Sequence, residues 1–243
     1  MTRARRLASV AVVASLAVTG LSACRTEPSV AAYVGDSRIA ESRVQDLWDE
    51  AHDAVVEQSE KAGQPAVMPI SRGDIVRTLV SVDVLGDVAK QQSLALPADL
   101  SLAEYAQQLR LPATLEYVRL YAQADTTVKL LRQKATSAPA PTDADLREVY
   151  DTLLTNGGIE PGTPFETFKS SLQAENLQLV QTSAAVRKQI EQATGSLRIK
   201  VNPRYQPLGI PVLEFQTQNG ELRPLVSAPL GGSDEDSPVL PKS

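Results

Sequence analysis

The residues that build most metal and redox centres are nearly missing, because the 243-residue chain carries one cysteine and one histidine. Zinc, haem and iron–sulfur sites need clusters of such ligands, so no metal or cofactor is expected. A single thiol has no partner within the chain, so the fold must hold by packing without disulfides. His52 lies beside Asp53 inside a predicted helix and reads as a surface or flank residue rather than a catalytic base. No G-x-S-x-G, P-loop or G-x-G-x-x-G motif is present. Asp46, Asp49 and Glu50 are spaced around one helix as a solvated face is, not as an acid–base pair within hydrogen-bond reach. No enzyme active site is therefore expected. Basic residues are also outnumbered, 24 against 29 acids, which argues against nucleic acid as a partner.

The first residues have the three parts of a secretory signal: Arg3, Arg5 and Arg6, an apolar stretch from Leu7 to Gly20, then Leu21-Ser22-Ala23-Cys24. The apolar stretch falls short of the ~20 residues that cross a bilayer, and Arg25, Glu27 and Pro28 follow it at once. Leu-Ser-Ala-Cys resembles the lipobox of bacterial lipoproteins, in which the cysteine receives a diacylglycerol thioether and becomes the first mature residue. The resemblance implies a signal peptide over residues 1–23 and lipid attachment at Cys24. The alternative is an ordinary cysteine left by a different cleavage. Two or more acyl chains anchor stably, since each buried methylene contributes ~0.8 kcal/mol. The expected location is the extracytoplasmic face of the cell membrane. Loss of the three signal arginines leaves 21 basic residues against 29 acids, a net charge of −8, so the acyl anchor rather than a polybasic surface does the holding.

The mature chain reads as mainly helical. After a tether over 24–29, Val30 to Val34 and Ser37 to Ile39 form a hairpin about Gly35 and Asp36. A helix from Glu41 to about Lys61 carries Val44, Leu47, Trp48, Ala51 and Val55 at three- and four-residue steps, with Trp48 expected as its main buried anchor. Ser71 and Asp74 make a capping box for a central helix running to about Gln92. Ser101 with Glu104 caps a short helix through Leu109, and Pro112 suits the first turn of a longer one towards Lys134. Its apolar side includes Leu115, Val118, Tyr121, Ala122, Val128 and Leu131. A proline-bearing spacer over 136–141 precedes a helix capped by Thr142 and Asp145 and stopped near Gly157. One long helix is then predicted from Phe165, through Phe168, Leu172, Leu179, Val186 and Ile190, to a glycine cap at Gly195. Leu197, Ile199 and Val201 alternate as a strand whose natural partner is the N-terminal hairpin. Val212 to Thr217 and Glu221 to Val226 suggest a further hairpin within 206–228, and residues 229–243 read as a disordered acidic, proline-bearing tail.

Three stretches carry a family resemblance. They are Val30 to Ile39 leading into a helix; Pro141-Thr142-Asp143-Ala144-Asp145-Leu146-Arg147-Glu148-Val149-Tyr150; and Arg198-Ile199-Lys200-Val201-Asn202-Pro203-Arg204-Tyr205. In this order, behind a lipobox, they resemble the SurA/PrsA group of extracytoplasmic folding factors, and specifically its chaperone part. The resemblance covers residues 30–205. It implies a helical chaperone module closed by short strands from the N- and C-terminal ends. Members that isomerise proline carry a parvulin domain of roughly a hundred residues, which a six-residue spacer cannot hold. No prolyl isomerase activity is expected. Ala40 also stands where the family usually places a Thr or Ser helix cap.

The leading expectation is a tethered holdase or envelope assembly factor whose partners are unfolded or secreted polypeptides, bound by apolar burial in a groove. The alternative is a scaffolding or interaction lipoprotein whose apolar stripes are ordinary core. Trp48, Tyr117, Tyr121, Phe165 and Phe168 are the candidate client-binding or core aromatics; an open cleft lined by Tyr117, Tyr121, Phe165 or Phe168 favours the first reading, and a closed, fully packed helical body the second.

Overall fold

The computed structural model describes residues 29–217 and 219–230. The predicted signal peptide, the predicted lipid-bearing Cys24 and residues 231–243 of the predicted tail lie outside the described residues. Among the described residues the chain is mainly helical, with a few short antiparallel strands.

Strand β1 (Val30–Val34) turns at Gly35, whose φ of +58° is the left-handed geometry a side chain resists, and returns as β2 (Ser37–Ala40). Strand β3 (Ile199–Val201) pairs antiparallel with the other edge of β1, giving the order β2-β1-β3. The expected closure of the chain by strands from its two ends is therefore present. Asn202 secures it, donating from its backbone N–H to the Ala31 carbonyl at 2.9 Å and from Nδ2 to the Val30 carbonyl at 3.1 Å.

Helix α1 (Glu41–Ala62) starts at Ala40, which provides no side-chain cap. The first turn is held from outside instead: Tyr205 donates to Glu41 Oε2 at 2.8 Å, and Arg204 pairs with the same carboxylate. These contacts hold the Glu41 side chain, while the backbone N–H of Glu41 is met by the Ser29 carbonyl at 2.9 Å. Val44, Leu47, Ala51 and Val55 form the buried stripe. Trp48 is a correction: it sits one position round the helix from that stripe, only half-buried, with the Arg72 guanidinium 4.4 Å from its ring centroid.

Helix α2 (Arg72–Gln91) opens with the predicted reciprocal capping box of Ser71 and Asp74. Ile75, Val76, Val80, Val84, Leu85 and Val88 are buried around more than one side, because α1, α4, α7 and the strands all pack against it. Its central place matches expectation.

Helix α3 (Leu102–Leu109) is not capped by Ser101, which is left-handed at φ +51° and donates its N–H to Asp99 Oδ1 at 2.8 Å. The aspartate turn outcompetes the hydroxyl cap. Helix α4 (Glu116–Lys134) begins after a separate turn in which the Leu115 N–H meets the Pro112 carbonyl, so Pro112 lies outside it.

Helix α5 (Asp143–Thr155) has the Thr142–Asp145 capping box and ends before Gly157 at φ +71°. The long helix expected from Phe165 is two, α6 (Phe165–Ser171) and α7 (Ala174–Gly195), broken at extended Leu172 and Gln173. Ser170 and Ser171 turn their hydroxyls onto the carbonyls of Thr167 and Phe168, the back-bonding that weakens a helix end. The α7 cap falls at Ser196 rather than Gly195, and Leu179 is exposed. Arg187 ties α7 to Asp145 and Glu148 of α5.

Strands β4 (Leu208–Gln216) and β5 (Leu222–Leu230) form the second hairpin. It is longer than predicted and takes in Pro229 and Leu230, which the sequence assigned to the tail. Nor is it an appendage: Leu208, Ile210, Val212, Val226, Ala228 and Leu230 are buried against α7, α5 and α2.

Candidate binding cleft

Two helical stripes and one strand face enclose a cleft. On α2, Asp74, Arg77, Thr78, Ser81 and Leu85 recur at three- and four-residue steps, so they share one side. On α4 the same spacing aligns Tyr117, Tyr121, Ala124, Asp125 and Val128. The third wall is the hairpin, where Ile210 of β4 is buried and two irregularities in the pairing with β5, between Pro211 and Glu214, bring Pro211 and Glu214 to the cleft beside it. A loop bearing Val67, Met68, Pro69 and Ile70 closes one end, and Leu109 and Arg110 at the end of α3 close another. The enclosed volume is 520 Å³.

The lower wall is apolar, built from Ile70, Leu85, Leu109, Val128 and Ile210. Most of the charges around it are paired. Arg77 Nη1 lies 2.6 Å from Asp74 Oδ1, Arg223 Nη2 lies 2.8 Å from Glu221 Oε2, and Lys129 Nζ lies 2.7 Å from Asp125 Oδ2. Arg110, at the exposed mouth, donates to the Asn219 carbonyl of the hairpin turn at 3.2 Å. Glu214 is different. Its Oε2 accepts a 2.6 Å hydrogen bond from Tyr121, yet among the described residues it forms no ion pair. Burial raises its carboxyl above the ordinary range, and the Tyr121 hydrogen bond only partly opposes this. Burial also raises the Tyr121 hydroxyl, and the neighbouring Glu214 charge adds to it; the fully buried Tyr117 hydroxyl is raised by burial as well.

The tyrosines form one aromatic wall. Tyr121 packs edge-on to Tyr105 at 5.9 Å between centroids and tilts against Tyr117 at 6.4 Å. Tyr105 donates to Asp125 Oδ2 at 2.7 Å, which fixes the ring from behind. Ser81, 3% exposed, has a hydroxyl that makes no hydrogen bond among the described residues.

Of the four aromatics expected to line a cleft, the structure brings two to it, Tyr117 and Tyr121. Phe165 and Phe168 belong to a separate buried cluster with Tyr150, at centroid distances of 5.6 Å and 5.5 Å from it, where α5 meets α6. Trp48 is elsewhere again, on α1. The residues that sequence reasoning missed are Glu214 and Ser81. Glu214 was hidden because two irregularities between Pro211 and Glu214 break the alternation that would mark an inward position, and the strand was predicted to start only at Val212. Nothing in the sequence marks Ser81.

No group of three or more His, Cys, Asp or Glu side chains able to hold a metal occurs among the described residues, and no described helix is long and apolar enough to cross a membrane. The chain matches no protein-family model, and no curated protein or solved structure is significantly similar to it.

Proposed function

We propose that this chain is a lipid-anchored extracytoplasmic protein that holds unfolded or extended polypeptides, a SurA-like helical module without a parvulin domain and without prolyl isomerase or other covalent chemistry. The observation that carries the reading is the open cleft between α2, α4 and the hairpin, with an apolar lower wall and an apolar stretch on its rim at Val67 and Met68. Val67 is 75% exposed on that rim beside half-buried Met68, apolar surface that a purely internal core would not present. Clients would bury apolar side chains there and be released without a chemical step. Anchoring through Cys24 would keep the cleft at the membrane face where secreted chains emerge.

A scaffolding role is the second reading. It is favoured by Tyr117, Phe165 and Phe168, all less than 9% exposed and hence ordinary core.

The test is light scattering of an unfolded client mixed with the soluble mature chain, beside an isomerisation assay on a proline peptide. Suppressed aggregation at a few-fold molar excess, with no isomerase activity, is the expected outcome. Unchanged aggregation would leave the scaffolding reading.

A further inference from the structure

We propose that the cleft selects polypeptide segments in which a lysine or arginine neighbours apolar residues, the cation being received by Glu214 against the ring of Tyr121. This rests on the polypeptide-holding reading and adds to it the chemistry of the segment held.

Three observations converge. Glu214 is the carboxylate of the cleft without a counter-ion, whereas Asp74, Asp125 and Glu221 each have a basic partner at 2.6–2.8 Å. A desolvated carboxylate gains most from a cation brought to it, since each offsets the other's lost hydration. The half-buried Tyr121 ring stands beside the acid, and a ring face attracts a cation that has left water. The buried Ser81 hydroxyl, unpartnered among the described residues, lines the same cleft and provides a polar contact for an incoming ammonium, guanidinium or peptide group. Below them the apolar wall suits the methylene stem of the cation and its apolar neighbours. Three arginines oppose an incoming cation: Arg77, which acts on Glu214 but is paired with Asp74; Arg223, paired with Glu221; and Arg110, which lies at the exposed mouth bonded to a turn carbonyl, where solvent screens it.

The experiment measures binding of three blocked peptides to the soluble mature chain by calorimetry: one with lysine between leucines, one with norleucine in its place, one with glutamate. The expected order is lysine tightest, by ~10-fold over norleucine, with glutamate weakest. Glu214→Gln keeps an acceptor for Tyr121 and should abolish the lysine preference while leaving norleucine binding in place. Tyr121→Phe, which removes the hydroxyl but keeps the ring, should preserve that preference; circular dichroism checks that both variants are folded. Equal binding of lysine and norleucine peptides would overturn the inference and leave the polypeptide-holding reading standing. So would a lysine preference that survives Glu214→Gln. Failure of all three peptides would overturn it too, and suppression of client aggregation would then decide the wider reading separately.

Discussion

Glu214 owes its setting to the irregular stretch of β4 between Pro211 and Glu214, which carries a carboxylate to the cleft beside buried Ile210. Burial raises its folded pKa above the unfolded value, near ~4.3 for glutamate. A raised acid favours the protonated form in the folded state. Its contribution to stability is complete below the unfolded pKa and is lost as pH rises through the folded one. Arg77 on α2 eases that loss, whereas Asp74 on α2 and Asp125 on α4 deepen it. Glu214→Gln should therefore gain stability relative to the parent chain as pH goes from about 4 to about 8. Urea unfolding of both chains across that range reads the difference; a gap that stays constant or narrows would contradict the assignment. Asp145 works in the opposite sense. Burial alone would raise it, but hydrogen bonds from Thr142 and the charge of Arg187 outweigh burial and hold it low. Its contribution is present above the unfolded pKa and disappears in acid, in parent and variant alike.

Local elements were legible where one chemistry dominated. Gly35 fixed the first hairpin, and reciprocal Ser71–Asp74 and Thr142–Asp145 bonds fixed two helix starts. Elsewhere two local preferences competed. Asp99 captured the Ser101 N–H, Pro112 made a turn of its own, and the Ser170 and Ser171 hydroxyls ended a helix that apolar spacing would have continued. Trp48 was misplaced because size suggested burial, while its angle on the helix set it beside the core stripe. The second hairpin was legible only as a fragment, since its inward face emerges from Leu208 onward. Ile210, fully buried on β4, tests whether the hairpin is structural: Ile210→Ala should cost about 2–5 kcal/mol in denaturant unfolding. A loss below about 1 kcal/mol would mean that the hairpin is a detachable appendage.

Across the whole molecule, the cleft is a tertiary product. Asp74 to Leu85, Tyr117 to Val128 and Ile210 to Glu214 are far apart in sequence, and each reads alone as an ordinary stripe. Pairing of β1 with β3 closes the chain on itself, and packing of the hairpin on α2 and α7 supplies the third wall. That arrangement leaves a hollow with an apolar lower wall open on a body whose other apolar stripes are mostly consumed as core. On the proposed function, this hollow is where polypeptide is held. Photo-crosslinking tests it most directly, using an unfolded client that carries diazirine-leucine and peptide mapping of the attachment points on the soluble mature chain. The account predicts crosslinks concentrated on Met68, Leu109, Tyr121 and Leu222, and their loss under excess unlabelled client. Crosslinks confined to outer surfaces such as that around Leu179, or none at all, would contradict it.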